Sequence, residues 1–366
     1  MVEMLRAADP LVHGFSRVIV WGGMETLSKL EDRPWLKKSY QKILDRGLAY
    51  RTFWQVFKLS KLAREACCDI LFVPGSSYVG SFSPVVVISQ NLLPFEWSEQ
   101  RRFGWSLMTL KFAILRMIQG RTFVRADGVI FLTRYARDVV LNILEASVDK
   151  TAIISHGIDS QFFTSPREQL NISHYSSQRP YHVLYVSQVN MYKHQWHVAE
   201  GVSQLRINNI PVVLDLVGSA YSPALKRLEN VLHRVDPTAQ FVRYRGAVPY
   251  DDLHGRYAEA DLFVFASSCE TFGQILTEAM SAGLPIACSN RSALPEVLGD
   301  AGVYFDPEDS SDIAGVMFKL IDSPDLRAQL AKAAYDRAHN FSWQRCANET
   351  FGFLARIHFE ARGGKV

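Results

Sequence analysis

The chain is predicted to be an α/β protein built from two Rossmann-like, doubly wound domains that face a cleft. Three observations carry that prediction. At 366 residues the chain exceeds what one hydrophobic core ordinarily organises. In both halves short apolar runs alternate with longer amphipathic stretches, the β-then-α order of parallel, helix-covered sheets. Between the halves, 164–180 (TSPREQLNISHYSSQRP) is polar and short of aliphatic residues, as in an exposed connection.

In the first half the candidate strands are Arg17–Trp21, Asp69–Val73, Pro84–Ser89, Gly128–Thr133 and Ala152–Ser155, each bounded by polar, glycine or proline punctuation. Helical stretches such as Trp54–Ala66 and Gln100–Arg125 lie between them. After the connection, strands are expected at His182–Ser187, Val212–Val217, Phe241–Tyr244, Leu262–Ala266, Pro285–Ser289 and Val303–Phe305. The expected division is therefore 1–165, a linker at 166–180, and 181–344. The start is unusual for such a domain, because Glu3–Ala8 reads as the end of a helix running into Arg17–Trp21. An opening strand and its glycine-rich turn are expected to be missing, either because the sequence begins after them or because this half dispenses with them.

Composition is that of an ordinary globular protein, 48% hydrophobic and 21% charged, which argues against global disorder. A net charge of +3 is too small to imply nucleic acid, and none is expected as a partner. The five cysteines lack the paired spacing of zinc sites or of a disulfide framework and fit a reducing cytoplasm. No apolar run reaches the roughly 18 to 20 residues that span a bilayer, so a soluble or peripheral protein is expected.

The most informative stretch is 260–296, ADLFVFASSCETFGQILTEAMSAGLPIACSNRSALPE. It reads as a buried strand, a polar turn at the strand's carboxyl end, and a helix opening near Gly273. Ligands of open α/β sheets sit at the carboxyl ends of strands. The first backbone N–H groups of a helix, carrying roughly half a positive charge, suit a diphosphate. Glu270 and Glu278 bracket that turn, and a carboxylate accepts paired hydrogen bonds from vicinal sugar hydroxyls. Taken singly, Glu278 also reads as a solvated helix residue and Glu270 as a capping acid.

The pattern E-x-F-G-x-x-x-x-E-A-M-x-x-G-x-P, followed by ALPE at 293–296, resembles the large retaining glycosyltransferase family 4, the group 1 glycosyltransferases of GT-B fold. The likeness extends through ADGVIFLTRYAR, ISHGID, LYVS with YKHQ, LVGSA and RGAVPYDDLHGRYAEAD, covering nearly the whole chain. The resemblance implies that Glu270 is catalytic, meeting hydroxyls of a donor sugar. It implies that Glu278 binds the ribose, and that the amides of Phe272, Gly273, Gln274 and Ile275 meet sugar or phosphate. Lys193 matches the family lysine that neutralises the departing diphosphate, and Gly218, in the similar LVGSA segment, is implied to bind the donor. The final segment, 345–366, is implied to cross back onto the first domain.

Two departures stand out. Gln188 replaces an arginine common five residues before that lysine, with Ser187 in place of a glycine. Gln90 and Asn91 stand where a His-Asp pair is common on the acceptor and sugar side, so no proton-carrying histidine is present there. His156 is read as structural or hinge-related rather than catalytic.

The reaction implied is transfer of a sugar from a UDP- or GDP-sugar to an acceptor hydroxyl with retention of configuration. The acceptor implied is a saccharide or lipid-linked saccharide of a bacterial surface polysaccharide. No cofactor is expected beyond the nucleotide-sugar substrate, and no metal, since neither an Asp-x-Asp cluster nor a His/Cys set with metal spacing is present. Segment 100–125 alternates apolar residues with Arg and Lys, which suits either peripheral contact with the inner face of the plasma membrane or an ordinary sheet-covering helix. A dehydrogenase is disfavoured because no G-x-G-x-x-G follows any strand. A catalytically silent nucleotide-sugar-binding or scaffold protein of the same fold is the remaining alternative.

Overall fold

The computed structural model describes residues 1–145 and 149–363. It divides into two compact units, one formed by 1–95, 105–157 and 342–366, the other by 96–104 and 158–341.

The first unit contains two parallel sheets. One pairs β1 (Val18–Gly22) with β2 (Leu36–Tyr40); the other has the order β3 (Leu71–Val73), β4 (Val85–Ser89), β5 (Gly128–Phe131) and β6 (Thr151–Ile153). The apolar runs of β4 and β5 are buried at every position, the pattern of strands covered on both faces. Strand β2 escapes a sequence search because LKKSY is polar and only half-buried along its length. The last helix, Trp343–Ala361, belongs to this unit: Phe351 stacks on His13 and meets Phe15 edge-on. Residues 364–366 of the expected returning segment lie outside the described residues.

The second unit carries six parallel strands in the order β12-β11-β10-β7-β8-β9. Their ranges are β7 Tyr181–Val186, β8 Val212–Val217, β9 Val242–Gly246, β10 Leu262–Phe265, β11 Ile286–Ser289 and β12 Val303–Phe305. The chain enters at the centre, builds outward through β8 and β9, then returns to place β10 on the other flank of β7. The direction of winding therefore reverses between β7 and β10, the switch point at which doubly wound sheets open a crevice.

The bounds differ from the expected 1–165 and 181–344 for identifiable reasons. Ile158 donates to the Phe341 carbonyl and Thr164 to that of Ser281, which ties 158–164 to the second unit. Within the connection, Arg167 donates to the Ala258 carbonyl and pairs with Asp261, and Tyr175 donates to the same Asp261. The stretch 100–125 is also two elements, not one. A short helix Trp97–Arg101 ends before Gly104, which is left-handed at φ 59°, and Ser106 caps a new helix, Leu107–Arg125.

Candidate functional site

The loops after β7 and β10 bring together residues that are 77 positions apart in sequence. Lys193 follows β7 and is 6% exposed; its ammonium Nζ forms an ion pair with Oε1 of Glu270, which follows β10. Its cation also lies 5.0 Å from the centroid of the Tyr192 ring and 5.1 Å from that of Phe265. The Lys193 main chain is fixed in turn, since its carbonyl accepts from the buried Tyr185 hydroxyl at 2.5 Å. A lysine so enclosed loses rotamer freedom on folding and is held ready for a second anion.

Glu270 is positioned by a residue the sequence did not single out. Ser292, after β11, accepts from the Glu270 N–H and donates to the Glu270 carbonyl, both at 2.8 Å. Ser292 itself adopts φ 61°, an unusual conformation for a residue with a side chain. The only sequence signal was its place just before ALPE.

Gly273 then starts the helix Gln274–Ser281 in the left-handed region, φ 85°. It supplies no side-chain cap, and the first helical turn carries the positive end of the helix dipole. A Cβ at this position would lie 2.8 Å from Leu294 Cδ2. The Phe272 ring is 2% exposed and packs edge-on against Phe341 at 5.3 Å, so this residue offers a ligand only its main chain. Gln274 and Ile275 are half-buried in the opening turn.

Glu278, one turn further, is buried, and its Oε2 accepts from the Tyr257 hydroxyl at 3.0 Å. Burial raises its pKa from the ordinary 4.5 to about 7, the Tyr257 bond opposes that rise, and Asp159 adds to it. At neutral pH the carboxyl thus sits between its two protonation states. That is unlike a solvated helix glutamate, and shifts of this kind concentrate at functional sites.

Gly218 ends β8 with φ 145°, and a Cβ there would lie 2.1 Å from the Ser187 carbonyl oxygen. The loops after β7 and β8 therefore approach as closely as backbone permits. The Gln188 side chain accepts from Asn190 and its carbonyl accepts from Gln195, so it is part of the loop's own hydrogen bonding.

Behind Lys193 lies a second polar cluster. His194 is fully buried, and its Nε2 is 3.0 Å from the Ser268 hydroxyl, which donates to Glu99 at 2.6 Å. The serine proton is committed to Glu99, so Nε2 is the protonated nitrogen of a neutral imidazole. Burial, with Arg102 next, lowers the His194 pKa to about 3. Arg102 bridges Glu99 and Glu308, and its hydrogen bonds hold the Glu308 carboxyl down at about 2. None of these residues was assigned to the donor site from the sequence, where Arg102 counted only among the basic residues of 100–125.

Gln90 and Asn91 follow β4 in the first unit. The Gln90 N–H donates to Ser76 Oγ at 3.1 Å, and Asn91 Oδ1 accepts from the Leu93 N–H at 3.2 Å. The other predicted residues, Lys193, Gly218, Glu270, Phe272, Gly273, Gln274, Ile275 and Glu278, all belong to the second unit. His156 lies beside Trp343 in the first, ring centroids 5.4 Å apart.

Residues 167–337 match the model of the family described as glycosyl transferases group 1. O-antigen chain mannosyltransferase B of Escherichia coli is 40% identical over 110 residues, 30% of this chain and 29% of that protein. The serotype-specific mannosyltransferase WbdA of Escherichia coli is 27% identical over 246 residues, 64% of this chain and 29% of that protein. The matches thus span no more than about half the length of these and similar curated relatives. Among solved structures, Anabaena Alr3699/HepE in complex with UDP superposes with a TM-score of 0.68 at 18% identity, over 97% of this chain and 96% of that one. The fold is that of its GT-B structural neighbours, and residues 167–337 carry the likeness to the group 1 glycosyltransferases.

Proposed function

We propose that the protein is a retaining glycosyltransferase that moves a sugar from a UDP- or GDP-sugar to a hydroxyl of a saccharide or lipid-linked saccharide in bacterial surface polysaccharide synthesis. One observation carries this reading: a buried Lys193–Glu270 ion pair and the helix start at Gly273 follow the two strands, β7 and β10, between which the sheet reverses direction. In this reading the diphosphate lies against the helix start and recruits the Lys193 ammonium, which releases the Glu270 carboxylate to the sugar hydroxyls. Glu278 takes the ribose diol. As the glycosidic bond breaks, negative charge grows on the leaving phosphate, where Lys193 and the helix amides stabilise it most. The phosphate oxygen takes the acceptor proton on the same face, so no further general base is needed.

The names of two relatives, both mannosyltransferases and one of O-antigen chains, support a mannosyl donor and a surface-polysaccharide acceptor. The UDP bound to a structural neighbour supports a nucleoside diphosphate as the leaving group. Peripheral membrane contact is also part of the proposal. Trp105, Leu107, Leu110, Met117 and Val124 are exposed among exposed Lys111, Arg121 and Arg125, as suits an anionic lipid surface. Among the described residues no helix is long and apolar enough to cross a membrane.

The test is calorimetric titration of the chain with UDP and GDP, then a panel of their sugars with detection of glycosylated product and free nucleoside diphosphate. Turnover that survives EDTA is expected, and Glu270→Ala should abolish it while leaving the fold intact. Diphosphate binding without any turnover would favour the silent-binding alternative. Wild-type rates in Glu270→Ala would remove the catalytic assignment.

A further inference from the structure

Lys193 stands between two residues that one serine holds. Ser268 lies in the turn after β10, two residues before Glu270. Its N–H donates to the Tyr192 carbonyl at 2.9 Å, and its hydroxyl accepts from His194 Nε2 at 3.0 Å and donates to Glu99 Oε2 at 2.6 Å. The other nitrogen of the His194 ring, Nδ1, is buried and has no hydrogen-bond partner among the described residues. His194 also carries the chain through φ 51°, a left-handed conformation that a side chain ordinarily resists. Ser268 thus fixes both neighbours of Lys193 and, through its own main chain, sets them against the loop of Glu270.

The serine is itself directed. Glu99 is 6% exposed, and Arg102 Nε donates to it at 2.8 Å while another guanidinium nitrogen reaches Glu308, after β12, at 2.6 Å. Phe103 packs on Tyr221, after β8, with ring centroids 5.9 Å apart. Segment 96–104 therefore grips the loops after β8, β10 and β12, and its fixed carboxylate takes the Ser268 proton. With that proton committed, the serine oxygen presents its lone pairs to the His194 N–H.

Serine, histidine and acid in contact invite comparison with a nucleophilic triad, but the polarity is reversed. In such a triad the imidazole accepts the serine proton and the acid holds the far ring nitrogen. Here the acid takes the serine proton, the imidazole donates to the serine, and the far nitrogen is without a partner. The cluster can orient a turn but cannot activate a hydroxyl.

We propose that Ser268, with its hydroxyl set by Glu99, is a positioning residue of the diphosphate site, holding the turn of Lys193 so that the ammonium meets both Glu270 and a bound diphosphate. The inference rests on the reading of Lys193 as the cation for that diphosphate. Removing the hydroxyl leaves the His194 N–H buried and unsatisfied, and the turn beside Lys193 relaxes to find it a partner. A binding group displaced by even about 1 Å loses much of its effect.

The experiment is a double-mutant cycle on nucleoside diphosphate affinity, read by calorimetric titration of the full chain with whichever of UDP and GDP it binds more tightly. Lys193→Met should weaken binding by about 5- to 150-fold, and Ser268→Ala by about 3- to 10-fold. In the Lys193→Met background Ser268→Ala should change affinity by less than about twofold, because the cation it positions is gone. Ser268→Thr, which keeps the hydroxyl, should bind within about twofold of the unsubstituted chain. Glu99→Ala acts through the same serine, so its loss should match that of Ser268→Ala and should not add to it; it carries the comparison if Ser268→Ala does not fold. Equal losses with and without Lys193 would overturn the proposal, since they would show a general effect on the fold. So would full affinity in both Ser268→Ala and Glu99→Ala while Lys193→Met binds weakly, and the donor-site reading would then stand. Unchanged affinity in Lys193→Met would instead remove that reading, and this inference with it.

Discussion

Replacing Glu278 by glutamine should stabilise the protein at neutral and alkaline pH while impairing nucleotide binding. The carboxyl is 4% exposed, and burial raises its pKa from 4.5 to about 7. The folded state therefore holds this proton more tightly than the unfolded chain does. Its contribution favours folding fully below about pH 4.5 and is lost as pH rises through about 7. At roughly 1.4 kcal/mol per pKa unit, the ionised carboxylate costs the fold about 3 kcal/mol at pH 8. Glutamine carries no charge and keeps a carbonyl oxygen to accept from Tyr257, which donates at 3.0 Å. Urea unfolding of both proteins across this range should show near-equal stability at about pH 4.5 and a gain of about 2 to 4 kcal/mol for the variant at about pH 8. Calorimetry should show the variant binding UDP or GDP more weakly, because a neutral amide accepts the ribose hydroxyls less strongly than a carboxylate. A stability difference that does not vary with pH, or a variant less stable at pH 8, would refute the reasoning.

Three further substitutions probe the rest of the site. Lys193→Met should weaken nucleoside diphosphate affinity by about 1 to 3 kcal/mol, the loss of a charged hydrogen bond; unchanged affinity by calorimetry would move the phosphate elsewhere. Ser292→Ala removes both hydrogen bonds that hold the Glu270 peptide, so kcat should fall on the order of tenfold to a hundredfold with KM little changed. An unaltered kcat would show that the loop holds Glu270 without them. Gly218→Ala forces a Cβ to 2.1 Å from a carbonyl oxygen at φ 145°, and should cost on the order of 2 kcal/mol or more of stability, read as a lower Tm. A wild-type Tm would mean that the loops after β7 and β8 have room to separate.

The strand, turn and helix around Gly273 were legible because each has a local signal: the apolar run LFVF, a polar turn, then helical periodicity from Ile275. β2 was not, because half-buried LKKSY offers no apolar run to find. The break inside 100–125 has its signal in Gly104 and Ser106, but apolar spacing on either side masks it. Sequence also placed Lys193 and Glu270 in one site by resemblance, yet not as partners, since a contact across 77 residues leaves no trace in either segment. The burial of Glu278 beneath Tyr257 and the Ser292 clasp are equally nonlocal. Reading Glu278 as a solvated helix residue fails for that reason: tertiary packing, not helix register, decides its exposure.

The excursion of 96–104 into the second unit bears on any attempt to dissect or recombine this protein. The polypeptide changes unit after residues 95, 104, 157 and 341, so no single cut yields an intact half. A fragment beginning at Ile158 would abandon the Ser268 hydroxyl without Glu99 and Glu308 without Arg102. Chimeras that exchange donor preference between relatives should therefore transplant the nine-residue loop together with the carboxyl-terminal piece. A graft that omits it would inherit Glu308 as an acid near His197 stripped of its guanidinium partner.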